Sequence, residues 1–353
     1  MLENSNSSPV NIGSNGNDSQ AEDLVKIENL KKYFPVQSGF FASILNRGQI
    51  PSVKAVDDIS FSIYKGEVFG LAGESGSGKS TVGRLVLRLL EPTDGKVVFD
   101  DIDLSSLSNE EMRRMRSRMQ VVFQDPLASL NPRMTIGQAI EHPAKIHMPD
   151  LSPNEHRKRV MDILEAVHMV PPNSFYDLYP HQISGGQRQR IVLARALVTH
   201  PDLIVADEPI AMADVSVRAI LVDLMVQLKN EFNLTYLFIT HDLATAKYIC
   251  DRIGILYLGK IAEIGDLDEI YTHPLHPYTQ ALLAAVPVPN PIERRTQPMP
   301  EGEIPNPINP PSGCRFHPRC PIAENICSQE VPDLRELRPG HLVACHFAEE
   351  LLN

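Results

Sequence analysis

The chain has 353 residues, enough for about two folding units of ordinary size, with 42% apolar and 22% charged residues. That balance supplies a large core and excludes a wholly disordered, collagen-like or coiled-coil chain. The 33 Lys and Arg are outnumbered by 44 Asp and Glu, for a net charge of −11, which argues against non-specific nucleic-acid binding, a property that relies on clustered cations.

Residues 1–23 are mostly Asn, Ser, Gly and Asp, too polar to bury, and are expected to form a disordered tail. No Lys or Arg occurs before Lys26, so no secretory leader is expected there. No apolar run approaches the ~18 residues that a membrane span needs. From Leu24 the pattern becomes that of a folded domain. Ile59, Phe61 and Ile63 alternate with polar residues, as on a half-buried strand. Val68–Ala72 is a short apolar run, which predicts a strand buried on both faces. A helix is predicted over 79–90, and a strand at Val97–Phe99 after the turn Thr93-Asp94-Gly95.

Residues about 130–200 read as mostly helical. Val160, Ile163, Leu164 and Val167 recur at helical spacing within 157–169, and Ile191, Ala194 and Leu197 within 187–198. Strands return at Leu203–Ala206 and Leu237–Thr240. Alternation of short apolar strands with helices predicts an α/β domain with a largely parallel core sheet and an inserted helical block. Nine prolines fall between Pro287 and Pro311, so an extended linker is expected there. The domain boundary is expected near Tyr271, giving a main domain over 24–270 and a C-terminal extension over 271–353.

Gly73-Glu74-Ser75-Gly76-Ser77-Gly78-Lys79-Ser80 follows the buried strand and opens the helix, which is the setting of a phosphate-binding P-loop. Glycines let backbone N–H groups turn inward onto phosphate oxygens. Lys79 adds a point charge, the Ser80 hydroxyl is a ligand for Mg²⁺, and the helix N-terminus adds partial positive charge. Thr81 follows directly in the first turn. Leu203–Ala206 ends in Asp207-Glu208: Asp207 is placed to hold Mg²⁺, and Glu208 to orient or deprotonate an attacking water.

The segment from Leu178 to Arg190, with Ser184-Gly185-Gly186-Gln187 just before a helix, resembles the signature of ABC-type ATPases. The resemblance implies that it binds the γ-phosphate of ATP held by another subunit. Gln124, in Val121–Pro126, looks like the Q-loop glutamine, which touches Mg²⁺ and the attacking water. His241, ending Ile239-Thr240, looks like the switch histidine that contacts the γ-phosphate and orients Glu208. Leu30–Phe34 is similar to the adenine-stacking segment, with Phe34 or Tyr33 as the stacking ring. Where the family usually has Ser-Ala-Leu-Asp, this chain has Ala211-Met212-Ala213-Asp214, so Asp214 is kept and one hydroxyl is missing.

The resemblance covers about 24–350. Thr272–Leu283 and Gly313–Pro321 are similar to the ATPase subunits of dipeptide/oligopeptide importers, and the runs Phe123–Arg133 and Gln187–Arg190 resemble the second of the two such subunits. This implies a P-loop ABC ATPase domain with a mixed core sheet, an inserted helical subdomain and a small Cys/Pro-rich extension. It also implies ATP and Mg²⁺ as ligands and peptide import as the function. The implied partners are a second ATPase subunit, identical or different, two transmembrane permease subunits and an extracytoplasmic solute-binding protein. The implied place is the cytoplasmic face of the membrane. The rival reading is a soluble ABC ATPase acting on DNA or the ribosome. Against it stand a single cassette, no heptad run and the acidic balance.

Cys314, Cys320, Cys327 and Cys345 are spaced C-x5-C-x6-C-x17-C. Four thiols in a segment with little core of its own invite a metal staple. Close C-x2–4-C pairs, usual for zinc, are missing. The wider spacing suits a [4Fe-4S] cluster better, with Zn²⁺ and free thiols as the alternatives. The set is expected to lie well outside the ATP motifs. Cys250, in an apolar helical stretch, is expected to be a packed core thiol.

Overall fold

A computed structural model describes residues 22–36, 51–286 and 302–352. The expected disordered tail, as far as residue 21, and the proline-rich stretch over 287–301 lie outside the described residues. Strand β1 (Asp23–Pro35) pairs antiparallel with β2 (Ser52–Tyr64), in which Ile59, Phe61 and Ile63 are buried and Ser60 is exposed. β3 (Val68–Ala72) is buried throughout and leads into α1 (Lys79–Val86). The helix ends earlier than its apolar pattern predicts, because Arg88 turns to φ +46° and breaks the ladder. β4 (Asp94–Phe99) and β5 (Ile102–Asp103) complete an antiparallel four-stranded sheet ordered β2-β1-β4-β5.

After α2 (Asn109–Met115) and β6 (Met119–Val122) the chain becomes helical: α3 (Ile136–His147), α4 (Pro153–Ala166) and α5 (Gly185–Leu197). Each of these three starts from a reciprocal cap, Thr135 with Gln138, Ser152 with Glu155 and Ser184 with Gln187. The Ser152 cap, with Pro153 in the first turn, explains why α4 begins before the predicted Arg157. β7 (Leu203–Asp207), α6 (Val215–Phe232), β8 (Thr235–Thr240), α7 (Leu243–Ile249), β9 (Arg252–Tyr257) and β10 (Lys260–Asp266) follow.

Short helices α8 (Leu267–Thr272) and α9 (Pro277–Ala284) and strands β11 (Arg335–Arg338) and β12 (His341–Val343) end the order. Among the described residues the main sheet has eight strands, ordered β11-β12-β10-β9-β3-β8-β7-β6. Strands β9, β3, β8, β7 and β6 run parallel, while β10, β12 and β11 pair antiparallel, so the sheet is mixed. β3 and β8 are buried on both faces, packed by the helical layer on one side and by the first sheet and α1 on the other.

The segment beyond Tyr271 does not stand apart from the main domain. β12 pairs with β10, Glu263 opposite Val343 and Ile264 opposite Leu342. Glu263 is fully buried and ties three points of the extension: it accepts the N–H of Leu275 (2.7 Å) and of His276 (3.1 Å), and meets His341 Nε2 at 2.7 Å. Replacing it by an apolar residue orphans three buried donors. Glu263→Leu is expected to cost about 3 kcal/mol of stability in urea denaturation. An unchanged midpoint would mean that this carboxylate is not what fastens the extension.

Candidate functional site

β3 ends at Ala72 and the chain turns through Gly73–Ser80 into α1. Gly78 caps the helix at φ +109°, and a Cβ there would lie 2.1 Å from the Ala55 carbonyl oxygen. No side chain caps this helix N-terminus, which leaves its first amides available to an anion. Lys79 is buried, and its Nζ donates to the carbonyl oxygens of Gly73 and Glu74, both at 2.8 Å. Burial pulls the ammonium below its ordinary pKa, and the carboxylates of Glu208, Asp207 and Glu74 pull it back up. Ser75 and Gly76 are exposed at the loop tip, Ser77 is buried beneath it, and Thr81 is half-buried in the first turn.

The neighbouring strand ends bring the acidic residues to the same edge. Asp207, the last residue of β7, pairs with Ile239 of β8 and accepts a hydrogen bond from Ser80 Oγ at 2.9 Å. Burial raises the Asp207 pKa, and the Ser80 bond works against that rise. The pair offers hard oxygen donors, the set that Mg²⁺ prefers. Glu208 adopts φ +49°, a left-handed conformation uncommon for a non-glycine residue, and its N–H donates to the Ile239 carbonyl at 2.9 Å. Its carboxylate accepts from Gln124 Nε2 at 2.9 Å and meets His241 Nδ1 at 2.9 Å. Gln124 thus bonds to Glu208 rather than to Ser80 or Asp207.

Ser184 and Gln187 bond to each other, Ser184 N–H to Gln187 Oε1 at 2.9 Å and Gln187 N–H to Ser184 Oγ at 3.3 Å, and not to the P-loop. Ser184 and Gly185 are exposed and Gly186 is half-buried. Asp214 is exposed at the start of α6. The Ala211 N–H donates to the Glu208 carbonyl at 3.2 Å, and Arg218 Nε braces the same loop by donating to the Ala213 carbonyl at 3.0 Å. The Tyr33 hydroxyl donates to the Asp57 carboxylate. Phe34 is half-buried, with the Lys32 ammonium 5.3 Å from its ring centre.

Cys314, Cys320, Cys327 and Cys345 line one small cavity of about 10 Å³ together with Phe316 and Phe347. Burial pushes the Cys314, Cys320 and Cys345 thiols up to about 11, and neighbouring cysteines push the same way. Among the described residues no group of three or more His, Cys, Asp and Glu is set to hold a metal ion, these cysteines included. Neutral thiols have no charge to draw them onto one point; they become ligands as thiolates. Cys250 is buried and packs against Gly70, its Sγ 2.8 Å from where a Cβ would stand.

The expected separation of the cysteine segment from the ATP motifs does not hold. Arg319 donates both terminal nitrogens to the Glu74 carboxylate, at 2.9 and 3.2 Å, and Tyr278 Oη accepts the Glu74 N–H at 2.9 Å. Arg315 is buried and pairs with Asp57, which also holds Tyr33. Sequence reasoning missed these residues. The available signal was two arginines, with no acid to pair with them, between Cys314 and Cys320.

Two family profiles match the chain: ABC transporter, over residues 56–211, and Oligopeptide/dipeptide transporter, C-terminal region, over 262–327. The chain is 48% identical over 329 residues to the oligopeptide transport ATP-binding protein AppF of Bacillus subtilis, covering 92% of this chain and 98% of that one. It is 49% identical over 322 residues to a putative peptide import ATP-binding protein of Brucella ovis, covering 91% and 97%. Among solved structures it resembles the dimeric ATP-binding cassette MJ0796 bound to ADP and Pi, with TM-score 0.60, 29% identity and coverage of 69% and 98%. It also resembles CbiO1 of Clostridium perfringens, with TM-score 0.60, 26% identity and coverage of 71% and 91%.

The loop geometry separates two glycines. At Gly76 a Cβ meets nothing within 4 Å but φ is +79°, so Gly76→Ala should cost about 1 kcal/mol and leave nucleotide binding measurable. Gly78→Ala forces a side chain into the Ala55 backbone and should abolish binding of a fluorescent ATP analogue. Equal effects from the two variants would contradict this account of the loop.

Proposed function

The chain belongs to the ABC transporter family of ATP-binding subunits, and on that premise we propose that it hydrolyses ATP to power peptide import through partner proteins in the membrane. The observation that carries the reading is the Glu208 carboxylate held between Gln124 and His241 beside the Ser80–Asp207 pair. The oligopeptide-type region over 262–327 supports the peptide class. The rival reading, action on DNA or the ribosome, draws no support from these relatives. ATP and Mg²⁺ are the ligands of such a subunit.

Lys79 and the amides of Gly73–Thr81 hold the phosphates. Ser80 and Asp207, with Gln124 nearby, hold Mg²⁺, which supplies charge neutralisation at the phosphates when bound. Glu208 orients the attacking water and takes its proton, while Gln124 and His241 fix the carboxylate. Tyr33 or Phe34 stacks on the adenine. Ser184–Gln187 and Asp214 act across a dimer, on ATP held by the other subunit. The local bonding of Ser184 and Gln187 within this chain supports that division, since both stay clear of their own P-loop. Ala211 contributes its backbone where a serine would add a hydroxyl.

No helix among the described residues is long and apolar enough to cross a membrane. An importer ATPase works at the membrane, as a dimer, with permease partners. The finer assembly comprises a second ATPase subunit, two permeases and an extracytoplasmic solute-binding protein, with this chain on the cytoplasmic face. Residues 24–270 form the ATPase domain and 271–353 its oligopeptide-transporter-type extension.

We further propose that Cys314, Cys320, Cys327 and Cys345, once deprotonated, draw together around a structural metal centre. Their place around one cavity supports it, and their spacing favours [4Fe-4S] over zinc.

In the reconstituted complex, Lys79→Ala should lose most ATP binding. Glu208→Gln should bind ATP as a stable closed dimer, with turnover reduced roughly 100-fold or more. Wild-type turnover in Glu208→Gln would sink the catalytic assignment. For the cysteines, anaerobic purification should yield iron and sulfide in equal amounts, lost in each of the four Cys→Ser variants and retained in Cys250→Ser. Zinc without sulfide would replace the cluster, and a metal-free chain would end the proposal.

A further inference from the structure

An anion-binding loop with a carboxylate inside it is a contradiction in charge. Glu74 stands directly after Gly73, and like charges repel strongly where solvent is thin. Its carboxylate is 19% exposed and is met by a guanidinium that is 6% exposed, that of Arg319, in a two-bond fork. Arg319 is fixed in turn: it donates to Tyr257 Oη at 3.3 Å and lies 5.9 Å from the ring centres of Tyr257 and Phe316. Every polar group of Glu74 is engaged. Lys79 takes the carbonyl, Tyr278 the N–H and Arg319 the carboxylate. Two of these three partners come from beyond Tyr271.

We propose that Arg319 is a positioning residue of the ATP site, which neutralises Glu74 and fixes the phosphate loop, so that the C-terminal extension sets the affinity for nucleotide. This deepens the reading of residues 73–80 as the ATP site and rests on it. Both terminal nitrogens of Arg319 are taken up by Glu74. The arginine acts through Glu74. Removing it leaves an unpaired carboxylate against a polyanion, so the penalty falls on binding. The turnover step, carried by Glu208 at another strand end, is spared.

The test uses the full-length chain for equilibrium binding of a fluorescent ATP analogue, and the reconstituted complex for KM and kcat. Arg319→Met keeps the packing on Tyr257 and Phe316 and should raise Kd and KM roughly tenfold, with kcat within about twofold of wild type. Arg319→Lys keeps the charge and should stay within about threefold. The double variant Glu74→Gln/Arg319→Met removes both charges and should bring KM back toward wild type. A purely scaffolding arginine would not allow that rescue. Unchanged affinity in Arg319→Met, a tenfold loss in Arg319→Lys, or a loss that Glu74→Gln fails to reverse would each overturn the proposal. Lys79→Ala separates the two readings: if it binds nucleotide as well as wild type, the ATP site itself is misassigned.

Discussion

Four neighbouring parallel strands of the main sheet end at the same edge, and the site depends on their register. Val122 of β6 lies opposite Ala206 of β7, Asp207 opposite Ile239 of β8, and Ala72 of β3 opposite Thr240. One or two residues beyond these ends stand Gln124, Glu208, His241 and Gly73. A strand slipped by one residue would turn every side chain to the opposite face. Such a slip would separate Glu208 from both of its partners. Burial on both faces forbids the slip, because each backbone group must keep its partner and each apolar side chain its layer. The arrangement of Gln124, Glu208 and His241 is therefore a property of the sheet before it is a property of the side chains.

What could be read from the sequence follows the same division between local and distant. The P-loop was legible because glycine spacing, the preceding apolar run and the following helix are all local. So were Asp207-Glu208 and His241, each ending an apolar strand. Helix ends were less legible: Arg88 enters a left-handed conformation that its side chain does not announce. The docking of the extension was not legible. β12 is too short, and β11 too rich in charge at Arg335, Glu336 and Arg338, to read as sheet strands. The Arg319–Glu74 pair spans 245 positions, and no periodicity carries information that far. The signature segment presents the opposite case. It was found by its residue types, and the geometry of one chain leaves it bonded to its own helix.

Charge explains the arrangement around Lys79. Three carboxylates, Glu74, Asp207 and Glu208, act on one buried ammonium. Two of the three, Asp207 and Glu208, are the acids to which the proposed function assigns Mg²⁺ and the attacking water. Ser80 and Gln124 meet these two with neutral donors. Glu74, which the proposed function gives no such part, is the one that receives a full guanidinium. The distribution of neutral and cationic partners thus follows what each acid has to do.

The pairing of β12 with β10 has a consequence for the order in which the protein is made. Synthesis runs from the N-terminus, and neighbouring segments begin to fold as they emerge. A nascent chain that has just released β10 already carries the whole P-loop, Glu208 and His241. Its sheet still ends in a bare edge, because β11 and β12 follow β10 by about 70 residues. Such an edge is a template for pairing with another chain. Glu263 is meanwhile without His341, and Glu74 without Arg319. The stretch from Arg319 to Val343 therefore both extends the sheet and pairs the Glu74 carboxylate, so a chain terminated before it would carry every nucleotide motif on an unfinished scaffold.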